Sequence, residues 1–147
     1  MSELALRRGV KSAASILLIS AGIHAAAHYH YYLSDHADDA ARNALKAVMQ
    51  AHMVIPAWNA SAWTVLCAFS LCIALLMGLC GTAFWWMGKD MPAARLRPLA
   101  TASAGLCLIS ALLVLLLHPI PQPVVILGGA GVCFALGSIF GRSPVAS

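Results

Sequence analysis

The sequence predicts an all-α integral membrane protein: a four-helix bundle with both termini cytoplasmic and a short amphipathic outer helix between spans one and two. Three observations predict it. The chain has 147 residues, of which 61% are hydrophobic and only 10% charged, where a soluble domain carries about 25% charged residues; its mean hydropathy is +0.84. Charge-free runs at about 12–33, 62–87, 99–117 and 124–140 each approach the ~20 apolar residues that cross a hydrocarbon core. The basic residues sit in short clusters beside those runs, with no basic stripe interleaved with aromatics. That is the pattern of topology signals. Residues 1–147 therefore read as a single membrane domain, and the formal charge of +4 is not the footprint of a nucleic-acid surface.

Span one follows a basic start, Arg7, Arg8 and Lys11. A cleaved signal peptide would begin the same way, but the run to Leu33 is too long and its Ala-rich end is crowded with His and Tyr, so a retained helix is expected. The outer segment, 34–60, changes character. Ser34 is a plausible N-cap, Asp35, Asp38 and Asp39 come early and Lys46 late, as a helix dipole prefers. Ala37, Ala41, Leu45, Val48 and His52 recur at helical spacing, with Arg42, Asn43 and Lys46 on other faces. The apolar face is mostly alanine, so it is expected to pack on the protein rather than adhere to the membrane.

Pro56 ends that segment. Trp58 and Trp63 mark one boundary of span two, and Trp85 and Trp86 the other. Lys89, Asp90, Arg95 and Arg97 make the next connection, with Pro92 as a breaker. His118 to Pro123 reads as a tight turn, because prolines at alternate positions cannot continue a helix. Span four is glycine-rich. Gly137 and Gly141 form a GxxxG pair, expected to serve internal packing rather than dimerisation. Basic residues dominate the N-terminus, the 88–98 connection and the C-terminal end, whereas the other two connections hold Arg42 and Lys46 against three aspartates. The positive-inside rule then puts both termini in the cytoplasm, and an even number of spans agrees.

On this topology all six histidines, His24, His28, His30, His36, His52 and His118, fall on the outer side. Counted from Lys11 at ~1.5 Å per residue, His24 lies roughly 20 Å into a core of about 30 Å. His24 and His28, at i and i+4, project from one helix face, and Tyr31 and Tyr32 extend it outward. A polar group at that depth must face the bundle interior and find a partner. The candidate ligand-binding residues are therefore His24, His28, His52, His118, Tyr31 and Tyr32. The i, i+4 pair His24/His28 is also a candidate metal site for zinc or copper. One span-one histidine with His118 could clamp a haem iron, and Met49 and Met53 beside His52 would suit copper. The plainer reading stands beside these: tyrosines and histidines at a span end form an interfacial belt, which accounts for His30 and His36 well.

Several classes lack their residues. No Asp or Glu lies inside a span, against a proton-coupled exporter. The five cysteines, Cys67, Cys72, Cys80, Cys107 and Cys133, all lie in apolar runs and form no CxxC, so they read as helix packing rather than as a disulfide framework, a zinc knuckle or a thiol-redox motif. No nucleophile–His–carboxylate motif suggests a hydrolase. The expectation is a non-catalytic accessory or small-ligand- or lipid-binding subunit. The alternatives are a haem- or copper-binding redox protein using the same histidines, and an oligomeric transporter. The partners expected are the bilayer and a membrane protein or a second copy.

Gly22-Ile23-His24, Met49, Trp63 with Phe69-Ser70, Trp85-Trp86, Arg97-Pro98 and Pro119 together make the chain similar to an uncharacterised family of small four-helix bacterial inner-membrane proteins. The resemblance implies a helical bundle in the bacterial inner (plasma) membrane and carries over no catalytic residue. The dense histidine content departs from that plainer pattern.

Overall fold

A computed structural model of the chain describes residues 2–34, 38–117 and 120–141. The protein is helical almost throughout. Helix α1 (Ser2–His28) ends in a π-helical turn, Tyr29–Leu33. Helix α2 (Ala40–Ala51) follows, then strand β1 (Met53–Ile55), a 3-10 turn (Pro56–Trp58) and strand β2 (Ala60–Ser61). Helices α3 (Ala62–Asp90), α4 (Ala93–Leu117) and α5 (Pro121–Phe140) complete the chain. Four segments are long and apolar enough to cross a membrane: Glu3–Leu33, Ala62–Asp90, Ala93–Leu117 and Pro121–Phe140.

The residues divide into two compact units, one drawn from 1–20 and 77–147, the other Ala21–Leu76. In the first, Leu6, Val10, Ala13 and Leu17 form one buried stripe of α1, spaced three and four apart as a single helix face requires. They pack with Leu96, Ala100 and Ala104 of α4 and with Ala130 and Phe134 of α5. Phe134 is fully buried and its ring centroid lies 4.7 Å from that of Phe84. The prevalence of alanine and glycine at these contacts has a cause. Lipid tails are as apolar as leucine, so helices in lipid gain by close van der Waals approach rather than by leaving water. Gly81 shows the approach: a Cβ there would stand 2.8 Å from the Leu18 side chain and 3.1 Å from the Ala14 carbonyl oxygen.

Two arginines of this unit close helix ends. Arg7 donates through Nη1 to the carbonyls of Gly88 (3.0 Å) and Lys89 (2.9 Å) and through Nη2 to that of Met91 (3.1 Å). Its Nε and Nη2 also donate to Glu3 Oε1, at 2.9 and 2.7 Å. Arg97 Nη2 donates to the Gly141 carbonyl at the end of α5. The last carbonyls of a helix have no partner within it and carry its negative dipole end, so a guanidinium answers both needs.

The second unit is built on the C-terminal end of α1, on α2 and on the first half of α3. Met53 pairs with Ser61 and Ile55 with Ala60 in a two-stranded antiparallel ladder. Asn59 at φ 51° makes the turn, in the left-handed region that Asn tolerates better than most residues. The Ala62 amide donates to the His52 carbonyl at 2.8 Å, which ties the end of α2 to the start of α3.

Helix ends differ from expectation for identifiable reasons. α1 begins at Ser2, not near residue 12, because the Glu3–Arg7 pair at i, i+4 supports its polar first turns. The N-cap of α2 is Asp39, whose Oδ1 accepts from the Arg42 amide at 2.9 Å. Ser34 instead ends the π turn, its amide donating to the Tyr29 carbonyl at 2.9 Å. α4 starts at Ala93 and carries Pro98 inside it. α5 starts at Pro121 rather than after Pro123, since first-turn amides have no intrahelical acceptor and proline loses nothing there. His36, His118, Asp35 and Ala37 lie outside the described residues, as does Pro119.

Candidate polar site at the end of the first helix

The candidate site lies within the Ala21–Leu76 unit. His24 and His28 share the face of α1 that meets α3. Ser70 stands between them: its Oγ is 3.0 Å from His28 Nδ1 and 3.2 Å from His24 Nε2. His28 is buried, His24 and Ser70 half-buried. A hydroxyl has one proton and two lone pairs, so it can donate to one ring nitrogen and accept N–H from the other. The two ring nitrogens that face it are thereby satisfied by one oxygen, as burial of polar groups demands.

Beyond this trio, toward the end of α1, runs an aromatic column. The Tyr32 ring centroid lies 5.0 Å from that of His28 and 5.3 Å from that of Trp63. Tyr31 stands edge-on to Tyr32 at 5.0 Å and lies 6.5 Å from Trp63. These are ordinary separations for attractive ring pairs. Trp63 is buried, and two cations of α2 cover it. The Arg42 guanidinium is 5.8 Å from its ring and 5.4 Å from that of Tyr31; Lys46 Nζ is 5.7 Å from the Trp63 ring. Arg42 is only 6% exposed. Its Nε donates to the Tyr31 carbonyl at 2.9 Å, Nη2 donates to the same oxygen, and Nη1 reaches Asn43 Oδ1 at 3.4 Å. Arg42 thus closes the end of α1 as Arg7 closes α3. Among the described residues no carboxylate forms an ion pair with Arg42 or Lys46.

Of the residues predicted from sequence, His24 and His28 converge on one atom, and Tyr31 and Tyr32 join the aromatic column beside them. His52 follows the last residue of α2 with its side chain exposed; among the described residues its carbonyl is bonded and its imidazole is not part of the His24–Ser70–His28 set. His118 lies outside the described residues. No three His, Cys, Asp or Glu side chains among the described residues are grouped to hold a metal ion. The two nitrogens facing Ser70 are the ones that could contribute to such a site. No carboxylate among the described residues hydrogen-bonds either histidine.

Ser70, Trp63 and Arg42 were not identified as site residues from sequence. A depth count would have found Ser70. It lies eight positions into α3 and His24 nine positions before Leu33, so at ~1.5 Å per residue both sit about 12–14 Å from the same end of their helices. No family model matches the chain, and neither does any curated protein or solved structure.

Proposed function

We propose that this chain is a small multi-pass protein of the bacterial inner membrane, with both termini cytoplasmic. It acts as a non-catalytic accessory subunit that binds a small ligand or lipid headgroup at the outer leaflet. The single observation that carries the reading is the convergence of two imidazole nitrogens and one hydroxyl on a point inside an apolar helix pair. That trio offers hydrogen-bond donors and acceptors to a polar group entering from lipid. Tyr31 and Tyr32 supply its aromatic wall. The absence of any acidic residue within the apolar cores of the spans speaks against ion-coupled transport.

The test is native mass spectrometry of the full chain released from membrane nanodiscs. A small molecule or lipid of defined mass should be retained by the native chain and lost in His24→Ala and Ser70→Ala. Identical adduct patterns in all three would remove the reading.

A second reading is favoured by the same convergence. Two nitrogens aimed at one point are two of the ligands that a copper or zinc ion needs. An absorbance spectrum and metal analysis of the purified protein separate the two readings. A stoichiometric metal, or a haem spectrum, that disappears in His28→Ala supports the redox reading; a featureless spectrum with no metal eliminates it.

A further inference from the structure

Helix α2 is amphipathic, but it is turned inside out for a soluble protein. Arg42, Asn43, Lys46 and Met49 face the protein and are buried or half-buried, while Leu45 is 50% and Val48 69% exposed. Ala41 and Ala44 share the exposed face. The cations are thus spent on Trp63 and on the Tyr31 carbonyl, and the side left free is apolar.

We propose that this free face of α2 is seated in phospholipid, at the headgroup–acyl boundary beside the ends of α1 and α3; the proposal rests on the reading that those two helices span the membrane. Three observations choose lipid as the occupant. First, α2 cannot stand away from the boundary. Arg42 fastens it to Tyr31, in the π turn that ends α1, and Lys46 to Trp63, the second residue of α3. Second, the neighbouring segments expose the residue types found at that boundary: Leu33, Val54 and above all Trp58, which is 79% exposed. Tryptophan is enriched where one side meets headgroups and the other acyl chains. Third, the free face has no aromatic or arginine anchor, the residues on which protein interfaces depend. A shallow stripe of Leu and Val among alanines suits the edge of a leaflet, where an amphipathic helix buries its apolar side by a few ångströms. The polar side of such a helix ordinarily meets anionic headgroups with Lys and Arg. Here it meets an indole, so the seat is held by apolar contact and by the protein rather than by lipid charge.

The test uses the full chain in vesicles of phosphatidylethanolamine and phosphatidylglycerol, with p-benzoylphenylalanine placed singly at Val48, Met49 or Phe69. Phe69 is exposed on α3 within the span and Met49 faces the protein. After irradiation, mass spectrometry should find phospholipid adducts at Val48 and Phe69 and their loss at Met49. Adducts at Phe69 without adducts at Val48 overturn the seat and leave the span intact. A covalent dimer from Val48 assigns the face to a second copy and overturns it equally. Adducts at Met49 matching those at Val48 show that α2 is not held in this orientation. No adduct at Phe69 overturns the spanning reading itself, and the proposal with it.

Discussion

Gly9 and Gly137 meet backbone to backbone. A Cβ added to Gly9 would stand 2.5 Å from the Gly137 Cα and 2.7 Å from the Cys133 carbonyl oxygen. No rotamer change relieves a clash with main chain, so α1 and α5 must separate to admit even a methyl group. Gly137 belongs to the GxxxG pair seen in the sequence, and its partner is a glycine of α1 rather than the same motif in a second copy. Gly9→Ala is expected to cost about 1–3 kcal/mol, the range of a forced overpacking. Gly22→Ala is the control: its added Cβ meets nothing within 4 Å, and relief of glycine's helix penalty should make it neutral or stabilising by about 0.5–1 kcal/mol. Unfolding of the detergent-solubilised variants measures both, and equal losses at the two sites would contradict the close crossing.

A single device recurs at three helix ends. Arg7 serves the carbonyls ending α3, Arg97 that ending α5, and Arg42 that of Tyr31 at the end of α1. Arg7 and Arg42 each reach more than one acceptor or ring, because the donors of a guanidinium are fixed in a planar fork. Lysine keeps the charge and loses the fork. Arg42→Lys is therefore expected to lower stability by about 1.5–3 kcal/mol, the scale of hydrogen bonds made by a charged donor, and to release α2. A protease cleaving within 34–60 should then act faster on the variant, while cleavage elsewhere stays unchanged. An unaltered cleavage rate would show that α2 is held by something other than Arg42.

The positive-inside reading makes an independent expectation. Alkaline phosphatase fused within 34–60 should be active and a fluorescent protein fused after Ser147 should fluoresce, since the former needs an external and the latter a cytoplasmic location. The opposite pattern would invert the orientation and move the histidine face to the inner leaflet.

Charge-free runs made the four long apolar helices legible, because lipid excludes charge from whole segments and leaves a signal that needs no periodicity. Their ends were not legible in the same way. The polar first turns of α1 persist because Arg7 and Glu3 pair there, and α5 accepts Pro121 and Pro123 because its first amides need no acceptor. Within the candidate site, the i, i+4 spacing gave His24 and His28 a common face, but one helix's periodicity cannot say what stands opposite. Ser70 belongs to another helix, and only a count of depth along both helices singles it out from the other small polar residues there. The case of α2 is different again. Its pattern fixed an amphipathic helix, yet the choice of which side turns inward depends on the medium outside, and Trp63 with the Tyr31 carbonyl offered a better seat for the cations than for leucine.

The shared hydroxyl of Ser70 yields the last expectation. Ser70→Ala leaves the facing nitrogens of His24 and His28 without that partner, at a cost of about 1–3 kcal/mol if neither finds another. Side-chain hydrogen bonds in membrane proteins often measure less, about 0.6 kcal/mol on average and up to about 1.7, so the single variant does not decide the matter. The cycle does. If His24 and His28 each depend on Ser70, then His24→Ala and His28→Ala should cost less in the Ser70→Ala background than in the native chain, by roughly 0.5 kcal/mol or more for each histidine. Ser70→Thr keeps the oxygen and should retain most of both couplings. Additive losses for both histidines would mean that the 3.0 and 3.2 Å contacts carry no shared energy, and would take with them the argument that this oxygen organises the site.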